Sequence, residues 1–431
     1  MSGGENVAGL PEAEILRLAL PGEPIERESA EGFRRWQNTR HGFVPAAAIS
    51  LAEWSALPPR RKALHNLHRK ATHTNLSFLE TPMSAAVARL VRRRIDNNSF
   101  KHKPATRAGV MVNGGGGQGK TETVLEVVAD FANTWLLVHE ANPHAFPGHR
   151  DAHIPIVYVQ TPATAKPIST CKAILAFFDA PTGSRWTLPD YLHAVRTSLR
   201  DHGVKVLVLD DITRLRMGRV DDQDTLDMIR SLMSMSVTLV LIGVDIVGHG
   251  LLREGKYDPR DRRHVFAPEP SNKLYLNDDP AATQTERRFD LVNLNPFSYD
   301  DDADITAWTR HLVGIEQQIR LFKAPPTGLL TGATMPEYLF ERTGGIVGLL
   351  ERLIEDGCHL AIDSGTETLT ESLLDEIDAD IGDDPHRDAA TGEVPSAPPR
   401  PAAKPAKKTA PGRRSRKNGS FDDTGPLAAG A

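Results

Sequence analysis

Residues Val110-Met-Val-Asn-Gly-Gly-Gly-Gly-Gln-Gly-Lys-Thr-Glu-Thr123 decide how the rest of the chain is read. Gly114, Gly119, Lys120 and Thr121 satisfy the spacing G-x-x-x-x-G-K-[S/T], in which glycines let successive backbone N–H groups turn in around a polyphosphate. The helix that follows adds its positive dipole end to the same anion. Lys120 is placed to reach the β- and γ-phosphates, and Thr121 to offer a hydroxyl to Mg²⁺, a cation that prefers hard oxygen ligands. The flanks agree. Residues 108–112 read as a short apolar strand, and Val124, Val127, Val128, Phe131 and Trp135 recur at helical spacing. A flexible glycine linker has no need of Lys-Thr or of an apolar helix directly behind it.

A second anchor lies downstream in Val204-Lys-Val-Leu-Val-Leu-Asp210-Asp211, an apolar run closed by two carboxylates, the form of a Walker B strand in a phosphate-loop NTPase. Strands of a parallel sheet are buried on both faces, and their ionisable groups gather at the carboxyl ends, where ligands bind. On this reading Asp210 holds Mg²⁺, directly or through water, and Asp211 orients or deprotonates the attacking water. Residues 153–160 and 238–243 read as two more buried strands, with helices predicted at 170–178 and 188–202. Just past the strand at 238–243, Asp245 is the nearest polar side chain that could sense a γ-phosphate.

Working outward, composition sets few further limits. The chain has 431 residues, 40% hydrophobic and 25% charged, and a formal net charge of −5, so any surface that meets nucleic acid has to be local. Its two cysteines, Cys171 and Cys358, lack metal-ligand spacing and read as core or incidental thiols. No stretch is long and apolar enough for a membrane span, and no internal repeat is visible, so the expected location is the cytoplasm and no membrane partner is expected.

Upstream of the loop, a helix is expected near residues 13–20, and Phe33, Trp36 and Phe43 stand near Arg34, Arg35 and Arg40. These rings either stack on bases or pack onto the core. Residues 60–98 are helical in pattern and carry Arg60, Arg61, Lys62, Arg69, Lys70, Arg89, Arg92, Arg93 and Arg94, which either neutralise duplex phosphates or form a solvated face. His65, His68 and His73, without carboxylate or cysteine company, read as solvated histidines. Residues 251–284 read as a long irregular connection. Helices are predicted at 305–322, 336–342, 345–362 and 368–381, and beyond 382 a basic Pro/Ala/Lys/Arg composition predicts disorder, suited to loose nucleic-acid contact or simply solvated.

In this order, phosphate loop, Asp-Asp strand, further strand, Arg287-Arg288-Phe289 and helical segment resemble the AAA+ ATPases. More narrowly, Ile154-Pro-Ile-Val-Tyr-Val-Gln-Thr-Pro162, Leu294-x-Pro296-Phe297 and Thr343-Gly-Gly-Ile-Val-Gly-Leu-Leu-Glu-Arg352-Leu resemble the TniB-type helper ATPases of bacterial transposition, relatives of TnsC and IstB. The resemblance covers roughly residues 55–365. It implies an α/β three-layer phosphate-loop core on a parallel sheet (residues 106–298), preceded by an arm (1–57) and a basic helical region (58–105). A helical lid (299–386) and a disordered tail (387–431) follow. It further implies ATP and Mg²⁺ bound against Gly114, Gly115, Gly116, Gly117, Gln118, Gly119, Lys120, Thr121 and Glu122, and ATP hydrolysis with Lys120, Asp211 and Arg288 as the catalytic set.

An ATP-dependent oligomer on duplex DNA and recruitment of a transposase are the partners implied. Arg288, with Arg287 second, would reach the γ-phosphate of the neighbouring subunit. Two departures stand out. The second acid is Asp211 rather than the longer glutamate, which points to slow hydrolysis. Gly348 stands where a lid arginine is expected, with Arg352 one turn later. Two other roles remain for such a chain: a STAND-like signalling or defence NTPase, and a nucleotide-dependent scaffold with little hydrolysis.

Overall fold

Four of the five strands of the main sheet are built almost wholly of buried aliphatic residues, which is what a parallel sheet covered on both faces requires, whereas the edge strand Phe289–Asn293 buries only Phe289. The computed structural model describes residues 11–103, 105–145, 152–162, 166–215, 222–246, 256–258, 263–265 and 285–377. The chain opens with α1 (Glu12–Ala19), α2 (Ala30–Thr39), α3 (Leu51–Ala56), α4 (Pro59–Thr74) and α5 (Pro82–Ser99). The core then runs β1 (Gly109–Asn113), α6 (Lys120–Ala141), β2 (Ile156–Gln160), α7 (Pro167–Phe177), α8 (Leu188–Asp201), β3 (Val206–Asp210), α9 (Asp222–Met233) and β4 (Thr238–Gly243). Two short strands, β5 (Lys256–Asp258) and β6 (Arg263–Val265), precede β7 (Phe289–Asn293). The remainder is helical: α10 (Asp302–Glu316), α11 (Met335–Thr343), α12 (Val347–Ser364) and α13 (Glu371–Leu374).

The main sheet has the order β2-β3-β4-β1-β7, and every neighbouring pair is parallel. Register brings Gln160 level with Asp210, and Asn113 level with both Gly243 and Asn293. All carboxyl ends therefore share one edge, and the phosphate loop, the Asp-Asp pair and the turn after β4 meet there. This is a three-layer α/β phosphate-loop core on a parallel sheet, followed by a small helical lid. The connection expected to be irregular contains an antiparallel pair, β5 with β6, three residues per strand and too short for a period-two pattern to stand out. Most of that connection, and the tail beyond 377, lie outside the described residues.

Two hydrophobic clusters form. One surrounds the sheet; the other gathers Phe297, Trp308, Leu312, Leu339, Leu350, Ile354 and Cys358 beneath the lid helices. The basic region divides between them. Helix α5 packs on α6 and the sheet, whereas α4 packs on α1 and on α12 of the lid. His65, His68 and His73 are buried rather than solvated, because their spacing aligns them on the face of α4 turned inward. His68 Nε2 meets Val44 O at 2.8 Å, and His73 Nε2 accepts the Arg320 N–H at 2.9 Å. Arg69 is fully buried, pairs with Glu367 and lies over the Phe322 ring at 3.9 Å.

Of the other basic residues in this region, Lys70 binds Asp363, Arg92 binds Asp96 and Arg94 binds Asp290. Upstream, the rings of the arm pack rather than protrude: Phe33 is buried in the core cluster, 5.3 Å from Trp36 and 6.3 Å from Phe177 between centroids. The same arm is fastened along α6. Arg40 reaches Glu126 at 3.2 Å and Asp130 at 2.6 Å, Gln37 reaches Asn133, and Arg27 reaches Glu122 at 3.0 Å. Glu122, Glu126, Asp130 and Asn133 recur at helical spacing, so one stripe of α6 holds Arg27, Gln37 and Arg40 of the arm.

Candidate nucleotide site

The loop between β1 and α6 owes its course to glycine. Gly117 and Gly119 have φ of 67° and 78°, left-handed values that L side chains resist, and Gly119 is the N-cap of α6 with no side chain capping it. The first amide groups of a 22-residue helix are thereby left for an external acceptor. Lys120 Nζ donates to Gly115 O at 2.6 Å, so the ammonium is folded into the loop. Burial there lowers its pKa, opposed by the nearby Asp210 and Asp211 carboxylates.

Across the sheet edge, Asp210 ends β3 almost fully buried, at 4% exposure. Its Oδ2 accepts from Thr121 Oγ1 at 2.8 Å and from the Tyr158 hydroxyl at 2.9 Å; its Oδ1 accepts the Asp211 N–H at 2.9 Å. Burial raises the Asp210 pKa and the neighbouring Asp211 adds to the rise, while the Thr121, Tyr158 and backbone hydrogen bonds oppose it. The Tyr158 phenol is pushed well above its ordinary value, first by burial and then by the Asp210 charge. Asp211 adopts φ 52°, a conformation seldom taken without glycine and one that costs about 1 kcal/mol or more. Its Oδ2 accepts from Gln160 Nε2 at 3.0 Å and pairs with Arg214 at 2.9 Å.

These residues fit a nucleotide and its metal. Gln118 folds back over Gly114 and Gly115, and its Oε1 is buried without a hydrogen-bond partner, an acceptor waiting for a donor. A hydroxyl and a carboxylate in contact, Thr121 with Asp210, form the hard oxygen set that Mg²⁺ takes alongside phosphate oxygens and water. Lys120 and the free amides of α6 supply the positive side of a polyphosphate cradle. Among the described residues no group of three or more His, Cys, Asp or Glu could hold a metal ion by itself, so a cation here would need phosphate as a co-ligand.

Other sequence candidates lie further off. Arg287 and Arg288 are exposed in a short turn that enters β7, and Phe289 pairs with Gly109 at the amino end of β1. They therefore sit at the opposite end of the strands from the phosphate loop, which follows Asn113. Asp245 is exposed in the turn after β4, with φ 49°. At the lid, Gly348 takes the position of the missing arginine: its N–H donates to Gly117 O at 2.8 Å, and a Cβ on it would stand 2.8 Å from the same oxygen. Arg352 points elsewhere, 3.9 Å from Asp356.

Sequence reasoning missed Tyr158, Gln160, Arg214 and Arg27. Gln160 had a visible signal, a polar residue at the carboxyl end of an otherwise buried strand. Tyr158 had none, since a tyrosine in an apolar strand reads as core. Arg27 is separated from its partner Glu122 by 95 positions and becomes legible only once the arm is seen against α6.

Among solved structures, the chain is similar to Cdc6p from Pyrobaculum aerophilum (13% identity, 67% of this chain and 64% of that one, TM-score 0.41). It is likewise similar to Aeropyrum pernix ORC1 in complex with DNA (13%, 71% and 68%, 0.45) and to the Holliday junction branch migration motor RuvB of Thermotoga maritima (11%, 68% and 67%, 0.35). The chain thus spans just under two thirds of the first of these structures. No curated protein matches it. Residues 85–254, which hold most of α5, β1, the phosphate loop, α6, β2, β3 and β4, match the family model described as Bacterial TniB protein, and over this span the chain resembles that family.

Proposed function

We propose that the protein binds and hydrolyses ATP with Mg²⁺, that nucleotide binding drives its assembly on duplex DNA, and that the assembly recruits or activates a transposase. The observation that carries this reading is the 2.8 Å contact between Thr121 Oγ1 and Asp210 Oδ2, which joins the phosphate loop to the Asp-Asp strand across the sheet edge. The TniB match over residues 85–254 supports the transposition context. Cytoplasmic action is part of the same proposal; no helix among the described residues is long and apolar enough to cross a membrane.

In this mechanism Lys120 and the amides of Gly115 to Thr121 hold the phosphates, and Glu122 continues the contact surface into α6. Thr121 and Asp210 hold Mg²⁺, which when bound neutralises charge on the transferring phosphoryl group. Asp211 orients the attacking water, and to do so it has to release Gln160 and Arg214. Arg288 reaches the site of a neighbouring subunit, a role that fits its distance from its own loop. The engagement of Asp211 by two donors also favours a second reading, a nucleotide-dependent scaffold that hydrolyses little.

The test is ATP turnover and duplex-DNA gel shift on the full chain, with a slowly hydrolysed ATP analogue in the binding assay. Lys120→Ala is expected to abolish DNA-stimulated turnover and to weaken nucleotide binding by about 2 kcal/mol or more, the scale of a hydrogen bond to a charged group. A parent already inactive in turnover, yet shifting DNA with the analogue, selects the scaffold. No analogue-dependent shift at low salt sinks the DNA assignment.

A further inference from the structure

The geometry points to Tyr158 as a positioning residue for the metal-holding carboxylate, with its hydroxyl fixing Asp210 Oδ2 toward the cation. This rests on the proposed role of Asp210 and Thr121 in holding Mg²⁺. Tyr158 lies in β2, level with Val208, and is 2% exposed. Its hydroxyl donates to Asp210 Oδ2 at 2.9 Å, across the β2–β3 pairing. The ring is held from the N-terminal arm, with the Arg27 guanidinium 5.7 Å from its centroid while Arg27 pairs with Glu122, two residues past Lys120.

The reason a hydroxyl is needed follows from counting donors on the carboxylate. Oδ1 has the Asp211 N–H, and Oδ2 has two hydroxyls, Thr121 and Tyr158. A Thr121 that presents its oxygen lone pair to Mg²⁺ turns its proton away from Asp210. Oδ2 is then left with Tyr158 as its protein donor, and that bond, together with the Asp211 N–H on Oδ1, sets which way the carboxylate faces. Side chains that orient a metal-ligating group in this way commonly change metal affinity without touching the metal. A phenol that merely satisfied its own buried hydroxyl would change stability instead.

The experiment compares wild type with Tyr158→Phe, a change that keeps the ring and its packing. Mn²⁺ binding to the protein–ADP complex is followed by electron paramagnetic resonance, and metal-free ADP binding by titration in EDTA. The expected result is about tenfold weaker Mn²⁺ binding in the variant, with metal-free ADP affinity within about twofold of wild type. Equal Mn²⁺ affinity in the two proteins overturns the role of Tyr158, as does a parallel loss of metal-free ADP affinity. A wild type that takes neither ADP nor Mn²⁺ overturns the metal site itself and Tyr158 with it, whereas a wild type that takes both isolates the failure to Tyr158. Should the variant not fold, wild-type protein labelled at the tyrosine ¹³Cζ gives the answer: adding Mg²⁺ to the ADP complex is expected to shift one of the six tyrosine signals, and no shift in any of them overturns the inference.

Discussion

Two places in this molecule bury opposite charges, and they are built on opposite principles. Between α4 and the lid, the Arg69 guanidinium gives Nε to Arg320 O at 2.6 Å, one arm to Asn66 at 3.0 Å, and both arms to Glu367. Glu367 also accepts the Phe322 N–H at 3.1 Å. Every charge there is closed by its own chain. At the sheet edge, Lys120 rests on a backbone carbonyl, Asp210 is held by neutral donors, Gln118 keeps an orphaned oxygen, and Asp211 sits in a strained conformation. Desolvation without full compensation is costly, and such cost persists where a ligand is to supply what is missing. Completeness of pairing, more than burial, separates the structural charge from the one that waits for a partner.

Acid breaks the comparison most strongly, because the two places respond with opposite sign. Burial lowers the pKa of His73 to about 3 and of His311 to about 4, and lowers His65 as well, all packed at or against the lid. Unfolded, each titrates near 6.5. Between those values the unfolded chain binds protons that the folded chain refuses, so stability is full above about pH 6.5 and falls as pH drops toward 4, by about 1.4 kcal/mol per pH unit for each such histidine. His73 also loses its acceptor for the Arg320 N–H when protonated. Asp210 has a raised pKa, so its contribution runs the other way and is lost as pH rises past the ordinary aspartate value. Urea unfolding between pH 7 and 4.5, followed by far-ultraviolet circular dichroism, is expected to show the midpoint falling steadily; a flat profile contradicts the buried, neutral histidines.

Arg69→Ala comes next. It leaves Glu367 buried without its counter-charge, an arrangement that costs about 3–5 kcal/mol, whereas replacing the pair together, as Arg69→Met with Glu367→Leu, is expected to recover most of the loss. Chemical unfolding of the three proteins checks this. A single variant as stable as the double would mean that Glu367 finds water.

How much of this contrast could be read in the sequence follows from where each partner lies. The phosphate loop, Asp210 and Asp211 announce themselves because their chemistry is local in sequence or sits at the end of an apolar strand. Two lid helices, α11 and α12, were legible from their period, whereas the predicted helix at 305–322 ends at Glu316, where the chain leaves α10 and turns toward the pocket that Glu367 and Arg69 occupy, and of the one predicted at 368–381 only Glu371–Leu374 is helical among the described residues. The arginines and histidines of α4 were not legible as structural, since Arg69 and Glu367 are 298 positions apart and a charge run looks the same whether its partners are water, phosphate or a distant glutamate. Tyr158 fails for the same reason in reverse: an apolar-looking strand position whose hydroxyl matters only because β3 lies beside it.

A finer probe of the contrast is Gly348→Ala, which adds one methyl where the lid meets the phosphate loop. The new Cβ would stand 2.8 Å from Gly117 O, backbone against backbone, so the lid has to retreat. Overpacking of this kind costs about 1–3 kcal/mol. Because Gly117 belongs to the loop, nucleotide affinity is expected to fall along with the melting temperature, measured by titration with a fluorescent ADP analogue and by thermal unfolding. Lowered stability at unchanged affinity would place the lid contact with the structural charges and not with the site.

The smallest effect is expected one turn along the same helix. Arg352 is half exposed, and its partner Asp356 is 3.9 Å away on the next turn of α12, an ion pair screened by solvent and worth about 0.5 kcal/mol or less. Removing a side chain that neither faces Gly117 nor closes a buried charge should change little, so Arg352→Ala is expected to keep both the melting temperature and the ADP affinity of the parent. The value of this variant lies in its pairing with Gly348→Ala, since the two sit four residues apart on one helix and differ in whether they touch the loop. If Arg352→Ala weakens nucleotide binding by tenfold while leaving stability intact, the lid carries an arginine that swings in from solvent when nucleotide is bound, and the backbone contact of Gly348 is only its resting substitute.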